Sequence, residues 1–158
     1  MSSSTVEVKT GRRDWFARPS GTMHVMEISF LQPAGLVSSP AFSHVAIVPA
    51  GATTIFVGGQ NGVDDTGAIV SSDIAEQSVR AIDNAAVALA AAGASLADVV
   101  QWSVLIAADG DLGAAYGAIA PKLARDGAPP LVTAARVAGL GVPGALIEAS
   151  AIAAVIPA

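Results

Sequence analysis

A single carboxylate stands in an otherwise uncharged stretch near the end of the sequence. Glu148 is the sole charged residue after Arg136, inside "ALIEASAIAAVI" (145–156). Strand alternation puts Leu146, Glu148, Ser150 and Ile152 on one face. Two readings compete: the exposed face of an edge strand, or a carboxylate set at a cleft or subunit interface. The other chemistry-bearing residues are sparse. His24 and His44 lie far apart and there is no cysteine, so no metal site is expected. Serines and threonines are many, but no histidine sits in a nucleophile-activating motif, and no triad can be assembled. Asp64 and Asp65 fall in a turn. Asp109 and Asp111 precede a helix, where carboxylates cap free N–H groups. "GLGVPG" (139–144) matches G-x-G-x-x-G. Pro143, however, leads into a strand-like run, and the chain ends before an acidic partner could follow. It reads as a strand connection, and no cofactor is expected.

"GAPPLVTAARV" (127–137) has a double proline near its start and carries no reactive group in its first half. It reads as a buried strand. Arg136 shares the face of Val132 but sits about 13 Å along the strand.

The elements that must position these residues follow from periodicity and punctuation. "GTMHVMEISFL" (21–31) reads as a strand, and "QPAGLVSSPA" (32–41) as a loop. Two β-rich runs flank Pro49-Ala50-Gly51-Ala52, a hairpin signature. Asp73 opens the clearest helix. With Glu76 it forms a capping box, and Gly93 is placed to end it. Val79, Ile82, Ala86 and Leu89 form an apolar stripe, and the many alanines suggest burial on two sides. A strand over 96–108, a weaker helix over 109–127 and two final strands complete the pattern. The order is β-β-α-β-α-β-β with an extra N-terminal strand. This is an α+β class, with two helices packed on one face of a mixed sheet. Residues 1–40 read as an extension with that possible extra strand, and 41–158 as the domain.

Composition limits function. Of 158 residues, 53% are hydrophobic and 13% charged, with a net charge of −5. Eight Lys and Arg against thirteen Asp and Glu are too few to track phosphates, so no nucleic acid partner is expected. Three of them, Arg12, Arg13 and Arg18, fall in the first residues. Those residues lack the apolar core of a signal peptide, and no apolar run is long enough to span a bilayer. With no cysteine, the expectation is a protein of the cytoplasm with no membrane partner. So little polar surface favours association into an oligomer.

Several segments resemble one family when taken together. They are "FSHVAIV" (42–48), "IFVGGQNGVDDTG" (55–67), the helix with Gln77 and Asn84, "AAGASLADVVQWSVLIAADGDL" (91–112) and "LIEASAIAAV" (146–155). In order and spacing they are similar to the RidA family, also called YjgF or L-PSP. The resemblance implies a chorismate-mutase-like fold and a homotrimer with three clefts between subunits. In RidA proper those clefts hydrolyse reactive imines and enamines, releasing ammonia and a 2-oxo acid. By this resemblance Glu148 falls on the carboxylate that positions water. Gly59 and Gln60 are kept from the family's Ser-Gly-Gln, while Gly58 replaces the serine. Phe42 stands where the family has a tyrosine, and Tyr116 falls near its asparagine. Val132 and Thr133 take the places of Arg and Ser in Pro-Ala-Arg-Ser, so the arginine that clamps the substrate carboxylate is missing.

The ligand site implied is therefore Glu148 with Phe42, Gly59, Gln60, Tyr116, Val132 and Thr133. Three readings of function follow. One is a trimer binding a small metabolite, and acting as a deaminase-like hydrolase on C=N bonds of an altered substrate. Another is a non-catalytic ligand-sensing or protein-binding trimer. The third, a ribonuclease or translation inhibitor, is opposed by the acidic balance.

Overall fold

The computed structural model describes residues 26–157. A short ribbon comes first, β1 (Ser29–Leu31) paired with β2 (Val45–Ile47). Then follow β3 (Thr53–Asn61), α1 (Ile74–Ala91), β4 (Val99–Ala107), α2 (Leu112–Leu123), β5 (Leu131–Val137) and β6 (Ile147–Val155). The last four strands form one sheet in the order β3-β6-β4-β5. β6 runs antiparallel to both its neighbours, and β4 and β5 are parallel. This is the expected α+β mixed sheet. Of the strand expected over 21–31, residues 21–25 and the basic residues 12, 13 and 18 lie outside the described residues.

Local chemistry explains the helices. The Asp73 carboxylate accepts from the Glu76 N–H at 3.0 Å, satisfying one free donor of the first turn of α1. The reciprocal half of a capping box is absent, because the Asp73 N–H donates instead to Ser71 Oγ. Gly93 ends the helix with φ +76, a conformation other residues adopt only with strain. Asp111 caps α2 by accepting from the Gly113 and Ala114 N–H groups.

Both helices lie on one face of the sheet. Ile82 and Leu89 of α1 and Ile119 of α2 meet Trp102 of β4 and Ala149, Ala151 and Ala153 of β6. The small alanines of the central strand let the helices approach closely. The buried row of α1 is rotated from the expected stripe: it runs through Ser78, Ile82, Ala85 and Leu89, while Val79 and Ala86 are half-buried. A count of apolar residues misses it because Ser78 is polar. Its hydroxyl donates to the Ile74 carbonyl at 2.6 Å and so enters the core satisfied. Burial on two sides does not hold within one chain, since Val87 is 71% exposed.

Three further expectations are corrected by pairing. The Pro49–Ala52 turn exists, closed by the Ala52 N–H on the Pro49 carbonyl. The strands it joins do not pair: β2 pairs with β1, while β3 takes the long ladder along β6. Seven register pairs along β6 give β3 more hydrogen bonds than the three-residue β2 could, and Val57 is buried there. β5 is not buried. It is an edge strand with five of seven residues exposed, because the sheet ends there. "GLGVPG" crosses from β5 to β6 past the end of β4, and no helix opens on it.

Candidate functional site

β6 is a central strand, so Glu148 is not on an edge. It pairs with Asn61 of β3 on one side and Leu105 of β4 on the other. Ile147, Ala149 and Ala151 point into the core, and Glu148, Ser150 and Ile152 alternate to the opposite face, half-buried. Beside Glu148 the β3–β6 register slips between Val57 and Gln60, which places a bulge at Gly58-Gly59. The Glu148 side chain packs over Gly59. A Cβ built on Gly59 would lie 2.5 Å from Glu148 Cδ and 2.8 Å from its Cγ. Only a glycine leaves room for the carboxylate at this place.

A buried polar network holds the strand segment that carries Glu148. Gln77, fully buried on α1, accepts from the Leu146 N–H at 2.8 Å. Its amide nitrogen donates to the Ser71 and Gly144 carbonyls. Asn61 Nδ2 donates to the Ile147 carbonyl at 2.9 Å. Asn84 Nδ2 in turn donates to the carbonyls of Asn61 and Val63, and Arg80 Nε to Val63. Gly62 lets α1 come this close, since a Cβ there would meet Gln77 Cα at 2.6 Å. The residues just before Glu148 are thus held by Gln77 of α1 and Asn61 of β3, and Glu148 inherits a defined position.

A cavity of about 310 Å³ opens on the other face of the sheet, under β5 and against α2. Val132, Trp102, Tyr116, Ile119, Pro130 and Ala41 form much of its wall. Val132 pairs with Trp102 across the β4–β5 ladder, and both point to the helix side. Val132 is 41% and Tyr116 49% exposed. Arg125 also borders the cavity. Its guanidinium donates to the carbonyls of Ala97, Val99 and Ala128 and lies 4.5 Å over the Phe30 ring. Those four partners line the adjoining groove and not the cavity. Burial lowers the pKa of Arg125 from its ordinary value.

The residues singled out from the sequence therefore fall into two groups. Tyr116 and Val132 meet at the cavity. Glu148 and Gly59 lie together on the opposite face, where Thr133 also points, paired with Ser103. Gln60 folds back, its amide donating to the Gly58 carbonyl at 3.1 Å. Phe42 is outside the cavity wall, though Pro40 and Ala41 before it belong to it. The Phe42 ring meets His44 edge-on at 5.4 Å. Arg136 reaches the Ala108 carbonyl at the end of β4. Sequence reasoning missed Trp102 and Arg125 as cavity residues. Trp102 lies within an apolar strand run, and Arg125 follows a helix end where a cation is ordinary. Among the described residues, no three His, Asp or Glu side chains converge as metal ligands, and no helix is long and apolar enough to cross a membrane.

Comparison with known proteins agrees with this architecture. A RutC family protein of Pyrococcus abyssi is 51% identical over 53 residues, 33% of this chain and 42% of that protein. The match thus spans less than half of that relative's length. The Rid family protein YyfB of Yersinia pestis, described as of unknown function, superposes with a TM-score of 0.70 at 25% identity. That superposition covers 81% of this chain and 98% of YyfB. The YjgF gene product of E. coli superposes with a TM-score of 0.58 at 26% identity, covering 67% of this chain and 83% of its own. Residues 35–155 match the family described as Endoribonuclease L-PSP. On that span and this fold, the chain belongs to the RidA (YjgF/L-PSP) family.

Proposed function

We propose that the chain assembles as a homotrimer and binds a small metabolite in clefts shared between copies, where it hydrolyses a C=N bond. One observation carries this reading. The two groups of candidate residues lie on opposite faces of one sheet, so neither completes a site within its own chain. A second copy that lays the sheet face bearing its Gly59 and Glu148 against the cavity of the first would unite them. The face that bears Glu148 also carries Phe56, 75% exposed, with Leu105 and Ile152 half-buried beside it. Apolar surface of this kind suits a covered interface.

The chemistry asks little of the protein. Glu148 holds a water against the C=N carbon and takes its proton as the oxygen adds. Addition to the protonated imine gives a neutral carbinolamine; Glu148 then returns its proton to nitrogen, ammonia leaves, and the carboxylate takes the hydroxyl proton as the C=O forms. Gly59 supports this by leaving space for the carboxylate and by presenting unobstructed backbone. The ribonuclease activity suggested by the family's description is disfavoured by the net charge of −5.

Mixed trimers test the reading. Glu148→Gln and Val132→Trp copies are each expected to be inactive on imines generated in situ by an amine or amino-acid oxidase. Co-assembled in equal amounts, they should regain about a quarter of the sites, since random pairing joins one intact cavity to one intact carboxylate at that frequency. A site contained in one chain would regain none. Retained turnover in Glu148→Gln alone would remove the catalytic role and leave a binding protein.

A further inference from the structure

We infer that the cavity under β5 selects compact, uncharged, largely apolar ligands that carry one hydrogen-bond acceptor. The inference deepens the function proposed above, and rests on the cavity being the ligand-holding half of that site.

Charge decides the class. Among the described residues, Arg125 is the one charged residue bordering the cavity. Its guanidinium makes four hydrogen bonds to backbone carbonyls and stacks on Phe30, all in the adjoining groove. The aliphatic stem is what remains for the cavity. A carboxylate entering there would lose its hydration and gain no cation in return, a heavy penalty. The Glu148 carboxylate supplied by a neighbouring copy would add repulsion.

The wall then defines the rest. Val132, Ile119 and Pro130 offer only apolar contact. Trp102, 2% exposed, and Tyr116 bring one indole N–H and one phenol. Among the described residues neither group has a hydrogen-bond partner. The indole can only donate, and the phenol can donate or accept. Two donors without partners on an apolar wall fit a carbonyl, amide or imine group on the ligand. At about 310 Å³ the cavity is at the small end of ligand sites, suited to a single ring or short branched chain.

Calorimetric titration of the full chain with phenylacetamide and phenylacetate, equal in size and different in charge, tests the inference. The amide should bind about tenfold or more tighter than the acid. Val132→Arg should reverse that order. Tyr116→Phe should weaken the amide about three- to tenfold and leave toluene unaffected. Oligomeric mass is measured for each variant, so that loss of binding is read only in assembled protein. Phenylacetate binding as tightly as the amide in the wild type would overturn the inference, as would binding of neither amide nor toluene. If the mixed trimers fail to regain activity while the amide still binds selectively, the ligand class stands and the shared-site mechanism falls.

Discussion

The Glu148 carboxylate lies across the backbone of Gly59, so close that a methyl group on Gly59 would fall 2.5 Å from its Cδ. Gly58, one residue earlier in the same bulge, has nothing within 4 Å of its own missing Cβ. Neither glycine has a positive φ, so the difference between them is one of space and not of backbone conformation. The pair therefore separates two reasons for a glycine in one dipeptide.

Gly59→Ala is expected to push Glu148 from its place and destabilise the fold by about 1–3 kcal/mol, the usual cost of overpacking. Gly58→Ala should change stability by less than about 1 kcal/mol. Urea denaturation of both variants checks this. Equal effects would mean that Glu148 moves aside freely.

Gln77 should be far less replaceable than its polarity suggests. Gln77→Leu would leave the Ser71 and Gly144 carbonyls and the Leu146 N–H without their present partner. The expected loss is about 2–5 kcal/mol, with the denaturation slope unchanged. A variant as stable as the wild type would show that water replaces these bonds.

Asp64 sets a pH dependence. The Thr66 hydroxyl, then the Ala68 N–H, donate to its carboxylate and hold its pKa below the ordinary 3.8. A folded pKa below the unfolded one means that the carboxylate contributes stability above about pH 4, lost as pH falls through the folded value. Asp64→Asn should therefore lower the urea midpoint at pH 5, and the gap should close on acidification. Carboxyl-carbon NMR giving 3.8 or above would contradict this.

The proposed trimer makes Phe56 a test residue, because it pairs with Ile152 on the face that carries Glu148. Phe56→Glu should yield monomers in light scattering coupled to gel filtration, with the helical signal kept. A monomeric wild type at micromolar concentration would refute the assembly itself.

How much of this was legible beforehand varied with distance along the chain. The Asp73 cap, the Gly93 stop, the Asp111 cap and the alternation around Glu148 all depend on neighbours within a few residues, and sequence alone determined them. The segment order that marks the family is likewise written in one dimension. What pairs with what was decided only in three dimensions. β2 and β3 look like a hairpin, yet the longer ladder went to β6, nearly ninety residues away in the register Asn61 to Glu148. "PPLVTAARV" has the composition of a buried strand, yet it is an edge, because burial depends on what lies beside a strand and not on its own residues. In the sequence, Val132 and Glu148 read as members of one site. The register sends Val132 to the helix side with Trp102 and Glu148 to the opposite face with Leu105. Side-chain alternation shows which residues of one strand share a face, but which faces of different strands coincide is set by the hydrogen-bonded register between them.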